Sequence, residues 1–209
     1  MHAWLLATAT AYGAPADPAL SDAPGVGLRL SGEVLQDRTI AAGYGSGSLS
    51  IEGLLSIPLG PLELGAEAGY RRLGGELVDG TAPTGEGSWI SYAPITFTLG
   101  ARLPAGSGAL YARVGPSMVF WEEQVPTDLM AGIGSSGGKF GFLVAGGMAI
   151  PLPLLTSLHD PDAGPSGLEL QIDVGYRHTL PRVTGCLIES PCGLRFSALK
   201  AGVGLVLRL

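Results

Sequence analysis

The chain has 209 residues, of which 46% are hydrophobic and only 14% are charged, and its formal net charge is −6. An acidic chain without a basic block is unsuited to binding nucleic acid, and no uninterrupted run reaches the roughly 18 apolar residues that a membrane helix needs. Two classes remain: one soluble β domain with a large apolar core, or one β-barrel whose apolar side chains face lipid.

The amino end is a short apolar stretch, residues 1–13, that closes on the small residues Ala11-Tyr12-Gly13. It resembles a secretory signal peptide with its cleavage site. Its first residues include no Lys or Arg, so the alternative is an apolar N-terminal arm. Residues 14–24, rich in Ala, Pro and Asp, are expected to be a linker, and residues 25–209 to form the β domain.

From residue 26 onward, apolar residues alternate with small or polar ones, which is the two-residue period of a β-strand. The pattern predicts strands at 26–34, 48–57, 62–71, 93–103, 110–120, 140–150, 168–177 and 199–209. The connections at 58–61 and 104–108 are short, whereas those at 37–46, 74–88, 122–138 and 181–193 are longer and polar. The connection at 151–167 departs from this rule, because a short turn is expected there.

The last predicted strand has the most regular alternation and runs to the final residue. One face carries Leu199, Ala201, Val203, Leu205, Leu207 and Leu209, and the other carries Lys200, Gly202, Gly204, Val206 and Arg208. This segment resembles the closing strand of Gram-negative outer-membrane β-barrels, in which it also serves as a signal for the barrel-assembly machinery. That family usually ends in Phe or Trp, so Leu209 is a departure.

Alternation alone does not say which face points inward, because a soluble lipocalin-type barrel has the same period with its apolar face inside. Here the polar face consists mostly of Gly, Ser and Thr, whereas a water-facing surface usually carries about 25–35% charged residues. Small side chains suit the interior of an eight-stranded barrel, which is barely wide enough for its own side chains. We therefore expect the polar face inside and the apolar face towards lipid.

The charges on the polar face are nearly balanced, as a closed lumen requires, because an unpaired buried charge costs several kcal/mol. The predicted lumen network consists of Arg29, Glu33, Glu52, Glu63, Glu67, Arg71, Arg102, Arg113, Glu169, Asp173, Arg177, Lys200 and Arg208.

Aromatic residues cluster towards the loop ends of the predicted strands, as in an interfacial girdle. They are Tyr70, Trp89, Tyr92, Phe120, Trp121 and Tyr176. The alternative is that aromatic residues simply favour strands. Pro116 falls near the middle of the fifth strand, where it cannot donate to the ladder, so we expect a local bulge there.

Strand pairs such as residues 94–103 with 110–116, and the segment 173–178, resemble the small outer-membrane barrel domain of opacity-type and porin-like proteins. The resemblance covers residues 25–209. It implies an eight-stranded antiparallel up-and-down transmembrane β-barrel in the outer membrane of a Gram-negative bacterium, with periplasmic turns and extracellular loops. Outer-membrane lipid and the barrel-assembly machinery are the partners it implies.

Little in the sequence points to catalysis. Lipid A deacylases resemble this architecture but carry a His and a Ser two residues apart, whereas His178 is followed at position 180 by Leu. No metal site, catalytic residue or cofactor is predicted. Cys186 and Cys192 lie in one predicted loop and are expected to form a disulfide in an exported chain.

Three functions are compatible with these features. The first, which the sequence favours, is a structural or surface-interaction barrel with a filled lumen and loops presented outside. The second is a small pore or solute conduit, and the third is a lipid-modifying enzyme. No extracellular ligand is identified.

Overall fold

The computed structural model describes residues 23–79, 82–124, 135–152, 167–180 and 194–209. The predicted signal segment and both cysteines lie outside these ranges, so the signal peptide and the disulfide stay predictions. The elements of the described residues are β1 (Gly25–Leu35), α1 (Arg38–Tyr44), β2 (Gly47–Leu59), β3 (Leu62–Gly69), β4 (Arg71–Asp79), β5 (Ala82–Ala105), β6 (Gly108–Gln124), β7 (Ser135–Leu152), β8 (Gly167–Thr179) and β9 (Ala198–Arg208).

The strands close into a barrel in which each pairs antiparallel with its neighbours. β3 and β4 are the two halves of one barrel strand, separated at Tyr70, and both pair with β5. Closure occurs between β1 and β9, where Leu30 lies opposite Val203. The predicted eight-stranded antiparallel barrel is therefore confirmed.

The predicted loop at 74–88 is wrong, because β4 and β5 continue through most of it as a hairpin. Gly74 pairs with Trp89 and Gly75 with Ser88. The sequence of this segment has no apolar alternation, so the period that identified the other strands is missing there. The predicted loop at 37–46 contains α1, whose first turn is capped by Asp37: the Ile40 amide donates to its Oδ1 at 3.1 Å.

The bulge expected at Pro116 is also wrong. β5 pairs with β6 at Thr96–Ser117 and resumes at Leu99–Val114, three residues further on in both strands. No residue is inserted. The pairing between β5 and β6 is interrupted beside Pro116, which has no N–H to donate. The register of the two strands is the same on both sides of the interruption.

The two faces of the sheet lie in opposite environments. On the outside, Val203 and Leu205 are 50% and 47% exposed, whereas Glu67, on an inward position, is only 8% exposed. The same alternation holds along β9, where exposed and buried residues follow one another without interruption. The apolar residues therefore cover the exterior, and the polar residues fill the interior.

Candidate functional site: the barrel interior

All thirteen residues of the predicted lumen network point into the barrel, where the structure brings them together in three layers. The layer nearest the short turns contains Arg102, Arg208, Glu63 and Glu169. Glu169 lies 2.6 Å from Arg102 and 3.0 Å from Arg208, and Glu63 lies 3.1 Å from Arg208. Two cations face two anions, so this layer is balanced.

The middle layer is built around Arg29, whose side chain is fully buried. Its guanidinium contacts Glu52 at 2.7 Å and also pairs with Glu67 and Asp173. Lys200 binds Glu52 and Glu67 at 2.7 and 2.8 Å. Arg113 pairs with Asp173 and lies 3.2 Å from Glu67. Three cations and three anions thus share one continuous network across the lumen.

Glycines on the inward face of β9 make room for Arg29. A Cβ atom at Gly202 would lie 2.6 Å from Arg29 Cδ, and one at Gly204 would lie 3.0 Å from Arg29 Cβ. The arginine stem therefore lies across the backbone of the neighbouring strand. This packing explains why two successive inward positions of the closing strand, Gly202 and Gly204, are glycine.

Of the thirteen predicted residues, two cations and one anion form the loop-side layer: Arg71, Arg177 and Glu33. Glu33 lies 2.9 Å from Arg71 and 2.6 Å from Arg177, and it accepts a hydrogen bond from the Tyr92 hydroxyl at 3.3 Å. Arg71 also pairs with Glu52 of the middle layer. Within the described residues, Arg71 Nε and Nη1 are buried without a hydrogen-bond partner.

An apolar plug, which the sequence did not predict, closes the lumen above the charges. It consists of Leu35, Ile40, Leu73, Ile90, Tyr92, Val119, Trp121, Leu194, Phe196 and Ala198. The Phe196 ring lies at its centre, 5.2 Å from the Tyr92 ring and 6.2 Å from the Trp121 ring. Helix α1 supplies Ile40, and the segment before β9 supplies Leu194 and Phe196.

Two of the predicted interfacial aromatics are therefore wrong. Tyr92 and Trp121 are only 1% and 7% exposed and belong to the plug. Counting alternate positions along each strand would have placed both residues inside the barrel. Tyr92 lies on the same strand face as inward Thr96, and Trp121 on the same face as inward Ser117. Lys139 is also inward and buried, although the sequence did not assign it to the lumen.

The other four predicted aromatics lie on the outward positions of their strands. Tyr70 and Phe120 are exposed, and Trp89 and Tyr176 are half-exposed. The Arg72 guanidinium covers the Trp89 ring at 4.3 Å. These residues form a band at the loop side of the barrel.

The packed side chains leave little open space in the lumen. The cavity that the described residues enclose between Thr98, Tyr111, Arg113 and Gln171 has a volume of about 20 Å³. That is room for about one water molecule. This cavity is therefore too small for a solute much larger than water.

The described residues offer no group of three or more His, Cys, Asp or Glu side chains that could hold a metal ion. His178 packs against Phe142 and Tyr176, with ring centroids 5.2 and 6.2 Å away. Leu180 follows it on the same strand face. No helix in the described part of the chain is long and apolar enough to cross a membrane.

No protein-family model and no curated protein matches the sequence. Neisserial surface protein A (NspA) is similar in structure, with a TM-score of 0.55 and 12% identity over 89% of this chain and 97% of that one. Ail of Yersinia pestis, solved with a heparin analogue, has a TM-score of 0.46 and 11% identity, covering 90% and 97% of the two chains. The N-terminal β-barrel domain of Pseudomonas aeruginosa OprF has a TM-score of 0.44 and 11% identity, covering 88% and 97%.

Proposed function

We propose that this chain, which has the fold of the small eight-stranded outer-membrane barrels, is an integral protein of a Gram-negative outer membrane. Its role is structural or surface-interacting: the barrel anchors and presents its loop side, and solutes do not pass through it. The observation that carries this proposal is the inverted distribution of side chains, with apolar residues outside and ion pairs inside.

The exterior is suited to hydrocarbon over the whole height of the barrel wall. From the turn side to the level of Tyr70 and Phe120, the outward positions of the described strands carry no Asp, Glu, Lys or Arg. A Lys or Arg on the lipid face of a barrel costs about 2–4 kcal/mol at the bilayer midplane. In water, the same wall would be an apolar surface far larger than soluble monomers tolerate.

The plug and the ion pairs in the lumen favour a structural role over a pore. An ion crossing the lumen would have to displace the apolar plug and then separate the ion pairs of all three layers. Breaking a buried pair by removing one partner costs about 3–5 kcal/mol, so a continuous aqueous path is unfavourable.

Planar-bilayer conductance separates these two functions. We expect the reconstituted protein to give no stable unit openings, with a sixteen-stranded porin as the positive control for insertion. Reproducible openings of one amplitude would refute the filled lumen and favour the solute conduit.

Partners follow from the same proposal. Outer-membrane lipid contacts the apolar wall, and the barrel-assembly machinery recognises the closing strand, which comprises Leu199, Val203, Leu205, Leu207 and Leu209. These side chains are all exposed on the outer surface of β9 and just beyond it. The surface ligand is unidentified, and we propose no catalytic role for His178.

A further inference from the structure

Four outward residues form a row across neighbouring strands at the loop side of the barrel. Arg72 pairs with Ser91, Ser91 with Glu122, and Glu122 with Ser136. The row therefore presents a cation and an anion on either side of one serine hydroxyl. With strands about 4.8 Å apart, the Arg72 and Glu122 backbones lie about 10 Å from each other.

A second row lies directly below the first, and it has aromatic walls and a small floor. Ala93 pairs with Phe120, and Phe120 pairs with Gly138. Tyr70 lies on the other side of Ala93, and its hydroxyl donates to Ser91 Oγ at 3.0 Å. Tyr70 and Phe120 are 60% and 50% exposed, so neither ring is used to fill the protein interior.

Together the two rows form a groove of about 470 Å³ on the barrel wall. Its lining includes Tyr70, Ser91, Ala93, Phe120, Glu122 and Ser136. Arg72 borders it from the first row. The groove lies at the height of the aromatic band, where lipid headgroups meet hydrocarbon.

The two charges that border the groove are not neutralised by each other. Neither Arg72 nor Glu122 has an ion pair within 4.0 Å among the described residues. Arg72 is held over the Trp89 ring, and Glu122 accepts a hydrogen bond from Gln124 Nε2 at 2.9 Å. Each side chain is thus oriented by a neighbour and still has polar atoms available to a ligand.

We propose that this groove binds the headgroup of a membrane lipid that carries both a phosphate and a primary ammonium group. Guanidinium groups favour phosphate. A carboxylate beside aromatic rings favours an ammonium group, which donates hydrogen bonds to the carboxylate and is attracted to the ring faces. A purely anionic headgroup would be repelled by Glu122, and a quaternary ammonium has no N–H to donate. The proposal rests on the membrane location proposed above.

Native mass spectrometry of the full chain, folded in detergent, tests this site. The protein is mixed with phosphatidylethanolamine, phosphatidylglycerol or phosphatidylcholine of identical acyl chains, and the retained lipid is counted. We expect phosphatidylethanolamine to be retained best. Glu122→Gln should reduce its retention about tenfold, as loss of a hydrogen bond to a charged group implies, without weakening phosphatidylglycerol. Arg72→Gln should weaken all three lipids.

Arg38→Gln, which removes an exposed charge on α1 outside the groove, serves as the control and should change nothing. Ser91→Phe fills the space between Arg72 and Glu122 and should abolish retention although both charged residues remain. Equal retention of the three lipids by the wild type, or unchanged phosphatidylethanolamine retention in both Glu122→Gln and Ser91→Phe, would overturn the proposal. Loss of heat-modifiable gel mobility in the wild type would instead contradict the membrane barrel itself.

Discussion

At the scale of single residues, Arg29 determines how the middle of the lumen is held together. Its guanidinium pairs with three carboxylates contributed by β2, β3 and β8, so one side chain links strands on opposite sides of the barrel. Removing it would leave Glu67 and Asp173 with Lys200 and Arg113 as counter-charges, and Glu52 with Lys200 and Arg71. The network is therefore sensitive to loss of this residue in particular.

Arg29→Leu should lower the free energy of unfolding by about 3–5 kcal/mol, because it leaves buried carboxylates uncompensated. Urea-induced unfolding in lipid vesicles, followed by tryptophan fluorescence, measures the loss. Leu28→Ala is the matched control on the outer face of the same strand and should cost less. If the two variants lose equal stability, Arg29 does not organise the lumen.

The inward charges were predictable from the sequence because the alternation along the strands is strict and the charges are nearly balanced. The thirteen lumen charges occupy the same alternate strand positions as Gly, Ser and Thr, and the sequence shows this alternation directly. Tyr92 and Trp121 were misplaced because their aromatic chemistry was given more weight than their strand positions. The plug depends on contacts between α1, Phe196 and five strands, and no local pattern encodes those contacts.

At the scale of elements, α1 and the segment 194–197 close the loop-side end of the barrel. Ile40 and Phe196 are both fully buried, although neither belongs to a strand. The backbone also joins this region to β1, because the Gln36 amide donates to the Ser197 carbonyl at 2.9 Å. These connections are part of the folded core as well as links between strands.

Phe196→Ala should cost about 3–5 kcal/mol of unfolding free energy, the usual range for removing a buried Phe. The same urea titration measures it, with Phe97→Ala as a control because Phe97 lies on the outer wall. Conductance should stay absent in Phe196→Ala, since the three charged layers lie below the plug. Stable openings in this variant would show that the plug alone closes the lumen.

The closing strand gives a second prediction at this scale. Its terminal amide, from Leu209, donates to the Pro24 carbonyl at 2.9 Å, so the last residue is joined to the chain before β1. Leu209→Asp should reduce the amount of folded barrel in the outer membrane of a Gram-negative host, because it places a charge on the apolar face of the strand that we propose the assembly machinery recognises. Leu209→Phe should preserve or raise that amount. Equal levels of the two variants on immunoblots of membrane fractions would contradict the role of the closing strand.

Strands with one face towards the exterior were predicted well, and the connections between them were not. The 74–88 segment consists largely of Gly, Ser, Thr and Glu, and it pairs as a hairpin although no apolar face marks it. Helix α1 has only seven residues, too few for a helical period to stand out from a polar connection. Both depend on backbone pairing and capping, which leave weaker signals than burial does.

At the scale of the whole molecule, the barrel combines an apolar wall with a charged interior. This arrangement is stable only if the wall meets hydrocarbon, since the exterior would otherwise expose its apolar side chains to water. The charged layers and the loop-side plug lie on the inner side of this wall.

The most direct test of this account is spin-label accessibility along β9 in lipid bilayers. Single cysteines replace Ala201, Val203, Leu205 and Leu207 in a chain that also carries Cys186→Ser and Cys192→Ser. We predict high collision rates with oxygen and low rates with a water-soluble nickel chelate at all four positions, with the contrast largest at Val203 and Leu205. High nickel accessibility and low oxygen accessibility at Val203 and Leu205 would place this face in water and contradict the membrane barrel.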